Sequence, residues 1–153
     1  MMKVRHFFEV YSPKRLWRKL WLGLAHLPML PQHRALLLKK GGVNIVGRAL
    51  IYDHVTIDTV YPENIHIGNN VAITSGVKIL THYLDPTQKG RIFRKGMVVI
   101  EDDVFIGVNV VICNSVTIGK GSIIGAGSIV TKDIPEYQVW AGNPARFIRE
   151  RAH

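Results

Sequence analysis

Residues 98–134 read VVIEDDVFIGVNVVICNSVTIGKGSIIGAGSIVTKDI, and this stretch predicts the architecture of most of the chain. An aliphatic residue recurs at every sixth position, and a second small or branched residue follows four places after it. A period of six is neither the 3.6 of an α-helix nor the 2 of a simple strand. It is typical of short strands joined by sharp corners, with inward side chains stacked in one column. The pairs are Ile100 (Val104), Ile106 (Val110), Ile112 (Val116), Ile118 (Ser122), Ile124 (Ser128) and Val130 (Ile134).

The same repeat extends back to about residue 43, and its period breaks twice. Ile57 and Ile67 are ten positions apart, and Ile79 and Ile100 are 21 positions apart. Polar residues that leave a regular coil add nothing to its column, so each break predicts a surface loop. We therefore predict an all-β solenoid, a parallel β-helix over residues 41–153, with a protruding loop at about 80–99. The earlier units are Ile45 (Ala49), Ile51 (Val55), Ile57, Ile67 (Val71), Ile73 (Val77) and Ile79.

Composition limits the class of protein. The chain has 153 residues, of which 47% are hydrophobic and 20% charged, so a packed core is expected and a disordered polyelectrolyte is excluded. A single cysteine, Cys113, excludes a disulfide framework and a cysteine-based zinc cluster, and it fits a reducing compartment. The longest apolar stretch, residues 20–30, is shorter than the ~20 residues of a spanning helix. We expect a cytoplasmic protein.

The positive charge is concentrated at the N-terminus. Residues 1–40 hold nine basic residues and one acidic residue, whereas residues 41–153 hold eleven and ten, so the body is nearly neutral. This distribution argues against nucleic acid as a partner of the main domain. The segment 1–40 is predicted to be helical, with a helix starting at Ser12-Pro13. Its apolar residues at helical spacing, flanked by Lys14, Arg15, Arg18 and Lys19, are Leu16, Trp17, Leu20, Trp21, Leu24 and Leu27.

Two interpretations of this helix stay open. A basic amphipathic helix with tryptophans binds anionic membrane surfaces, which predicts peripheral contact through residues 1–30 at the inner membrane surface. The same pattern also suits a cap that packs on the body or on a neighbouring subunit.

Several short motifs accompany the repeat. They are the Thr81-His82 pair at the start of the long break, GAGS at 125–128, TKDIP at 131–135 and GNPA at 142–145. With them, residues 43–151 resemble the hexapeptide-repeat acetyltransferases, in particular the sugar O-acetyltransferase branch of the maltose and galactoside enzymes and of polysaccharide biosynthesis. The resemblance implies a left-handed β-helix, a homotrimer, acetyl-CoA as acyl donor in clefts between subunits, a saccharide acceptor and no required metal.

The resemblance also implies roles for individual residues. His82 matches the catalytic histidine, which as a general base would let a sugar hydroxyl attack acetyl-CoA directly. Asp85 is a candidate to orient that imidazole or to bind the acceptor, and Asp58 and Asn64 are further candidates for acceptor contacts. Lys132, Arg146 and Arg149 suit the cofactor phosphates. The predicted cofactor-binding set is Phe105, Gly107, Asn109, Ala126, Thr131, Lys132, Arg146 and Arg149.

Some positions depart from the family pattern. Relatives commonly have Trp at the position of Phe105, and some have Ser at the position of Val108. Because Val108 has no hydroxyl group, a backbone N–H would have to stabilise the oxyanion in this chain. The acceptor motif of the maltose and galactoside enzymes is not evident. Arg91 and Arg94 suit either the acceptor or a phosphate. Cys113 has no histidine near it in sequence, so we expect no acyl-enzyme on its thiol.

Three other functions share parts of this pattern. The same base would serve an N-acetyltransferase acting on an amino sugar. A non-catalytic trimeric scaffold would bind partners through residues 1–40. A γ-class carbonic anhydrase would need three convergent histidines, but His54 and His66 fall on repeat positions that should face outward, and neither pairs closely with His82.

Overall fold

The six-residue repeat folds into three sheets of short strands in the computed structural model, which describes residues 12–152. The first sheet contains β1 (Asn44–Ile45), β4 (Ile65–Ile67), β9 (Val98–Ile100) and β12 (Val116–Ile118). The second contains β2 (Ala49–Ile51), β5 (Val71–Ile73), β10 (Phe105–Ile106), β13 (Ile123–Ile124), β15 (Gln138–Ala141) and β16 (Arg146–Glu150). The third contains β3 (Thr56–Ile57), β6 (Lys78–Ile79), β11 (Val111–Ile112) and β14 (Ile129–Val130). The chain visits the three sheets in turn, once per coil.

Apart from the antiparallel pair of β15 and β16, the stacked strands pair in parallel with matching register. Ile51 lies beside Ile73, which lies beside Ile106 and then Ile124, so equivalent residues of successive coils form one inward row. All the inward residues of the predicted repeat are 0–4% exposed, including Ser122 and Ser128. The prediction of short parallel strands around an aliphatic column is confirmed.

The strands meet at corners, two of which matter for function. The glycine corner is where the second sheet turns into the third, at residues 52–55, 74–77, 107–110 and 125–128. The hairpin corner is where the third sheet turns into the first, at residues 58–64, 80–97, 113–115 and 131–133. Coils approach closely at the glycine corner: a Cβ on Gly107 would lie 2.6 Å from the backbone nitrogen of Ala126, so only glycine fits there.

Both register breaks lie at the hairpin corner. The first contains a 3₁₀ helix, Pro62–Asn64. The second folds into an antiparallel hairpin of β7 (His82–Leu84) and β8 (Phe93–Lys95), most of which is exposed. The protruding loop is therefore an ordered two-stranded element.

Two helices precede the coil, α1 (Pro13–Leu24) and α2 (Pro31–Lys40). The predicted start at Ser12-Pro13 is confirmed, and the helix packs through Leu22 and the following Ala25. Most of the predicted apolar face points away from the body, since Leu16, Trp17, Leu20 and Leu27 are 50–59% exposed. Trp21 and Leu24, its other two members, are half-buried. Among residues 12–152, no helix is long and apolar enough to cross a membrane.

Arg34, one of the nine basic residues of the N-terminal segment, is buried. Its side chain is 2% exposed and donates hydrogen bonds to the carbonyl oxygens of Ala25, Leu27 and Ile51 at 2.7, 3.2 and 2.9 Å. A buried charge needs such partners because leaving water is costly. The guanidinium thus ties the turn between the helices to β2.

Candidate active site

His82 begins the hairpin and is held at the hairpin corner by a carboxylate from the coil below. Its Nδ1 lies 2.6 Å from Oδ2 of Asp58, the residue that directly follows β3. The Asp58 side chain is 1% exposed, whereas that of His82 is 34% exposed. The pair therefore combines a buried anchor with a ring that reaches the surface.

Asp58 accepts four hydrogen bonds. One comes from His82, two come from the backbone N–H and the hydroxyl of Thr81, and one comes from the N–H of Val60. Burial alone would raise the pKa of Asp58, but the hydrogen bonds from Thr81, Val60 and His82 outweigh it and lower the pKa below its ordinary value. The carboxylate is thus ionised and acts only as an acceptor, so Nδ1 of His82 carries the proton.

This tautomer leaves Nε2 of His82 with its lone pair free. Within the described residues, Nε2 has no hydrogen-bond partner, and the ring edge lies at the surface. A neutral imidazole fixed through Nδ1 can take a proton at Nε2 and is stabilised by the carboxylate once it becomes charged. The geometry suits a general base.

The hydrogen bonds of Asp58 indicate a role other than the acceptor contact predicted for it. Its side chain is 1% exposed, and its four hydrogen bonds come from Thr81, Val60 and His82 inside the corner, so the acceptor contact stays a prediction. Asp58 orients the imidazole, a role that the sequence offers for Asp85.

Asp85 instead stabilises the hairpin itself. Its carboxylate accepts hydrogen bonds from the N–H and hydroxyl of Thr87 and lies 2.7 Å from Nε of Arg94. The Thr87 hydroxyl, then the Thr87 N–H, and then Arg94 lower the pKa of Asp85 to about 2. Arg94 is thereby placed in a structural ion pair, while Arg91 stays exposed near the hairpin tip.

Asn64 supports the base of the hairpin. Its side-chain amide donates to the carbonyl oxygen of Gly96 at 3.0 Å, and the N–H of Gly96 donates to the carbonyl of Thr81 at 2.6 Å. These bonds connect the first register break to the second. Asn64 thus supports the position of the hairpin, and the acceptor contact expected for it stays a prediction.

The predicted cofactor residues fall into separate groups. Gly107, Asn109 and Ala126 line the glycine corner, and Phe105 lies next to it on the outer face of the second sheet, 42% exposed. Thr131 and Lys132 lie at the hairpin corner, where Nζ of Lys132 sits 5.1 Å from the ring centre of Trp140. Arg146 and Arg149 are exposed on β16. One chain therefore presents His82 and the Gly107 group on different corners.

The other titratable candidates lie elsewhere. Burial raises the pKa of the Cys113 thiol, whose Sγ lies 3.6 Å from the carbonyl oxygen of Val130. His54 is exposed at the glycine corner and His66 is half-buried on the first sheet, so neither converges on His82. In the part of the chain described, no three His, Cys, Asp or Glu side chains are arranged to hold a metal. His6 and His153 lie outside the described residues.

Two aromatic residues lie beside the base that the sequence-based predictions do not include. The ring centres of Tyr61 and Phe93 lie 6.3 and 5.9 Å from that of His82. A signal for this existed: both register breaks follow strands of one sheet, β3 and β6, which pair directly. Loops that leave one sheet at the same end must lie side by side.

Comparison with known proteins agrees with this architecture. The family model described as bacterial transferase hexapeptide (six repeats) matches residues 97–132. A maltose O-acetyltransferase from Clostridium difficile 630 is 30% identical over 92% of this chain and 87% of its own, with a TM-score of 0.69. A galactoside acetyltransferase solved in complex with coenzyme A is 32% identical over 94% of this chain and 84% of its own, with a TM-score of 0.70.

Curated relatives include an N-acetyltransferase. The 2,3,4,5-tetrahydropyridine-2,6-dicarboxylate N-acetyltransferase of Staphylococcus aureus is 42% identical over 83 residues, 54% of this chain and 32% of that protein. The chain spans between 32% and 51% of the length of the first curated relatives it matches. The structural relatives, in contrast, are covered over most of their length. The repeat, the coil and these likenesses together show that the chain belongs to the hexapeptide-repeat acetyltransferases, and the sugar O-acetyltransferase branch fits it.

Proposed function

We propose that the protein is an acetyl-CoA-dependent O-acetyltransferase that acylates a hydroxyl group of a saccharide. The observation that carries this proposal is the Asp58–His82 pair, whose 2.6 Å hydrogen bond leaves Nε2 of a half-buried imidazole free as a base. An alcohol is almost fully protonated at neutral pH and needs such a base to attack a thioester. Sugar O-acetyltransferases among the structural relatives support the choice of acceptor.

The proposed reaction is a direct transfer. Nε2 of His82 takes the proton from the acceptor hydroxyl while the hydroxyl oxygen attacks the carbonyl carbon of the thioester. A backbone N–H at the glycine corner stabilises the oxyanion, because Val108 brings no hydroxyl there. The carbon–sulfur bond then breaks, and the sulfur leaves with the proton from His82, which yields an acetyl ester and free coenzyme A. Cys113 takes no part, since a thiol with a raised pKa is a poor nucleophile.

The proposed assembly is a homotrimer of left-handed coils with three sites between subunits. A single chain carries its base on the hairpin corner and its Gly107–Ala126 groove on the glycine corner. A closed ring of identical subunits brings two different surfaces of neighbours together at every interface. The hairpin corner of one protomer then faces the glycine corner of the next, and His82 reaches the thioester bound there.

The outer face of α1 is the proposed contact with an anionic membrane surface. Leu16, Trp17 and Leu20 are exposed on the side opposite Leu22, with Lys14 beside them. Exposed apolar residues flanked by cations are typical of interfacial helices. This contact suits a lipid-linked or cell-envelope saccharide acceptor.

The test is thiol release from acetyl-CoA across a panel of free, nucleotide-linked and lipid-linked sugars. Wild type should release thiol with at least one acceptor, and His82→Ala should be slower by about 10²- to 10⁴-fold. Treating the product with hydroxylamine separates the reaction types, because it cleaves an ester and spares an amide. Equal rates for the two proteins would remove His82 from the mechanism, a resistant product would make this an N-acetyltransferase, and no release with any acceptor would favour the scaffold.

A further inference from the structure

The surroundings of His82 contain more positive charge than the proposed reaction requires. Nζ of Lys95 lies 4.2 Å from the ring centre of Tyr61, and the guanidinium carbon of Arg15 lies 5.7 Å from it. Lys95 comes from β8, Arg15 from α1 and Tyr61 from the first register break, so three separate elements converge beside His82. The Tyr61 ring itself lies against the His82 ring. Two cations thus stand one ring away from the base.

Every described carboxylate around this cluster already has a partner. Asp58 binds His82, and Asp85 binds Arg94. Glu63 binds Arg18 at 3.1 Å. Within residues 12–152, no carboxylate lies within salt-bridge distance of Arg15 or Lys95. Among residues 12–152, the two cations therefore have only the π-face of Tyr61 to offset their charge, which is a weak interaction at a surface.

We propose that the acceptor is an anionic saccharide, and that Lys95 and Arg15 bind its carboxylate or phosphate group while Nε2 of His82 takes the proton of a nearby hydroxyl. This inference rests on the proposed function and adds the substrate class. An ammonium and a guanidinium together suit an oxyanion, the first as a point charge and the second as a fork of donors. The rings of Tyr61 and Phe93 provide apolar surface for the sugar ring. Ligand sites commonly combine such aromatic surface with a small number of charged groups that orient the ligand.

Binding is tested first, with the full-length protein and no acetyl-CoA. The probes are methyl glucuronide for a carboxylate, glucose 1-phosphate for a phosphate, and methyl glucoside as the neutral match. Ligand-observed NMR should show that at least one anion binds about tenfold more tightly than methyl glucoside, with an advantage that falls as salt rises. The anion that binds more tightly shows whether the acceptor carries a carboxylate or a phosphate group.

Variants locate the binding site. Lys95→Gln and Arg15→Gln should each lower affinity for the preferred anion about tenfold and leave methyl glucoside unchanged. Lys89→Gln is the matched control, because it removes the same charge from the exposed tip of the same hairpin. Equal binding of charged and neutral probes would overturn the inference, and so would equal losses in the Lys89 and Lys95 variants.

Turnover separates this inference from the proposed function. Thiol release should have a higher kcat/KM with anionic acceptors, and Lys95→Gln should remove that preference mainly through KM. If neutral acceptors turn over as well as anionic ones in wild type, the acetyltransferase stands and the anionic class is wrong. If anions bind at Lys95 but no acceptor releases thiol, the proposed function fails and the anion site stands.

Discussion

The coil and the hairpin at residues 80–97 are built from opposite kinds of residues. The coil buries an aliphatic row repeated in every turn, so its stability is spread over many similar contacts. The hairpin is largely exposed and is held by a few polar contacts, chiefly those of Thr81 with Asp58, Gly96 with Asn64, and Asp85 with Arg94. Substitutions in the coil should therefore affect folding, whereas those at the hairpin anchors should affect chemistry.

The largest effect is expected from a cavity in the coil. Ile106→Ala removes a fully buried side chain at mid-height of the second sheet and should lower the free energy of unfolding by about 2–5 kcal/mol. Urea unfolding measures the change. Val46→Ala, at an exposed position, is the control and should change the free energy by less than about 0.5 kcal/mol. Similar losses for both would mean that stability does not reside in the column.

The next effect tests the carboxylate of Asp58, which connects the coil to His82 of the hairpin. Asp58→Asn should lower the rate of thiol release about 10- to 100-fold, because a neutral amide holds Nδ1 less firmly and cannot stabilise the imidazolium. The midpoint of thermal unfolding should shift far less than in Ile106→Ala. Asp103→Asn, whose carboxylate binds Asn70 away from the hairpin, should keep full activity. An unaltered rate in Asp58→Asn would show that His82 does not need this partner.

Asp85 gives the hairpin a pH dependence of its own. The pKa of Asp85 in the folded chain is about 2, below its ordinary value of 3.8. The carboxylate therefore stabilises the hairpin fully above the ordinary pKa, and this contribution is lost as the pH falls towards 2. The Thr87 amide resonance, which reports the hydrogen bond to Asp85, should titrate with a midpoint near 2. Asp85→Asn should abolish the transition, and a midpoint at the ordinary value would contradict the ion pair.

The smallest effect concerns α1. Like the coil and the hairpin, its two faces differ: one packs on the body through Leu22, and the other is exposed. Changing Trp17 and Leu20 together to Gln should lower partition onto vesicles of anionic phospholipid several-fold without changing unfolding. Leu36→Gln, an equally exposed change on α2, should leave partition unchanged. If the Trp17 and Leu20 double variant binds vesicles as well as wild type does, the proposed membrane contact is wrong. If the variant instead changes oligomeric state, this face of α1 belongs to a subunit interface.

The regular region was largely predictable and the irregular one only in outline. A period of six places Ile100, Ile106 and their equivalents inward without further information, because each coil repeats the geometry of the last. The position of the long break and its Thr81-His82 pair were also evident. Asp58 and His82, however, are 24 positions apart, and their contact depends on which corner each loop leaves. Burial of Arg34 and the outward face of α1 likewise depend on how the helices dock, which helical periodicity alone does not determine.

The central claim is that His82 of one protomer serves a thioester held by the glycine corner of the next, and mixed trimers test it directly. His82→Ala lacks the base, and Ala126→Trp fills the exposed groove of the glycine corner, so each alone should be nearly inactive. In trimers assembled from equal amounts of both chains, about one site in four combines an intact His82 with an intact neighbouring corner. The account predicts that thiol release returns to roughly that fraction of the wild-type rate. A mixture no more active than either parent would contradict it.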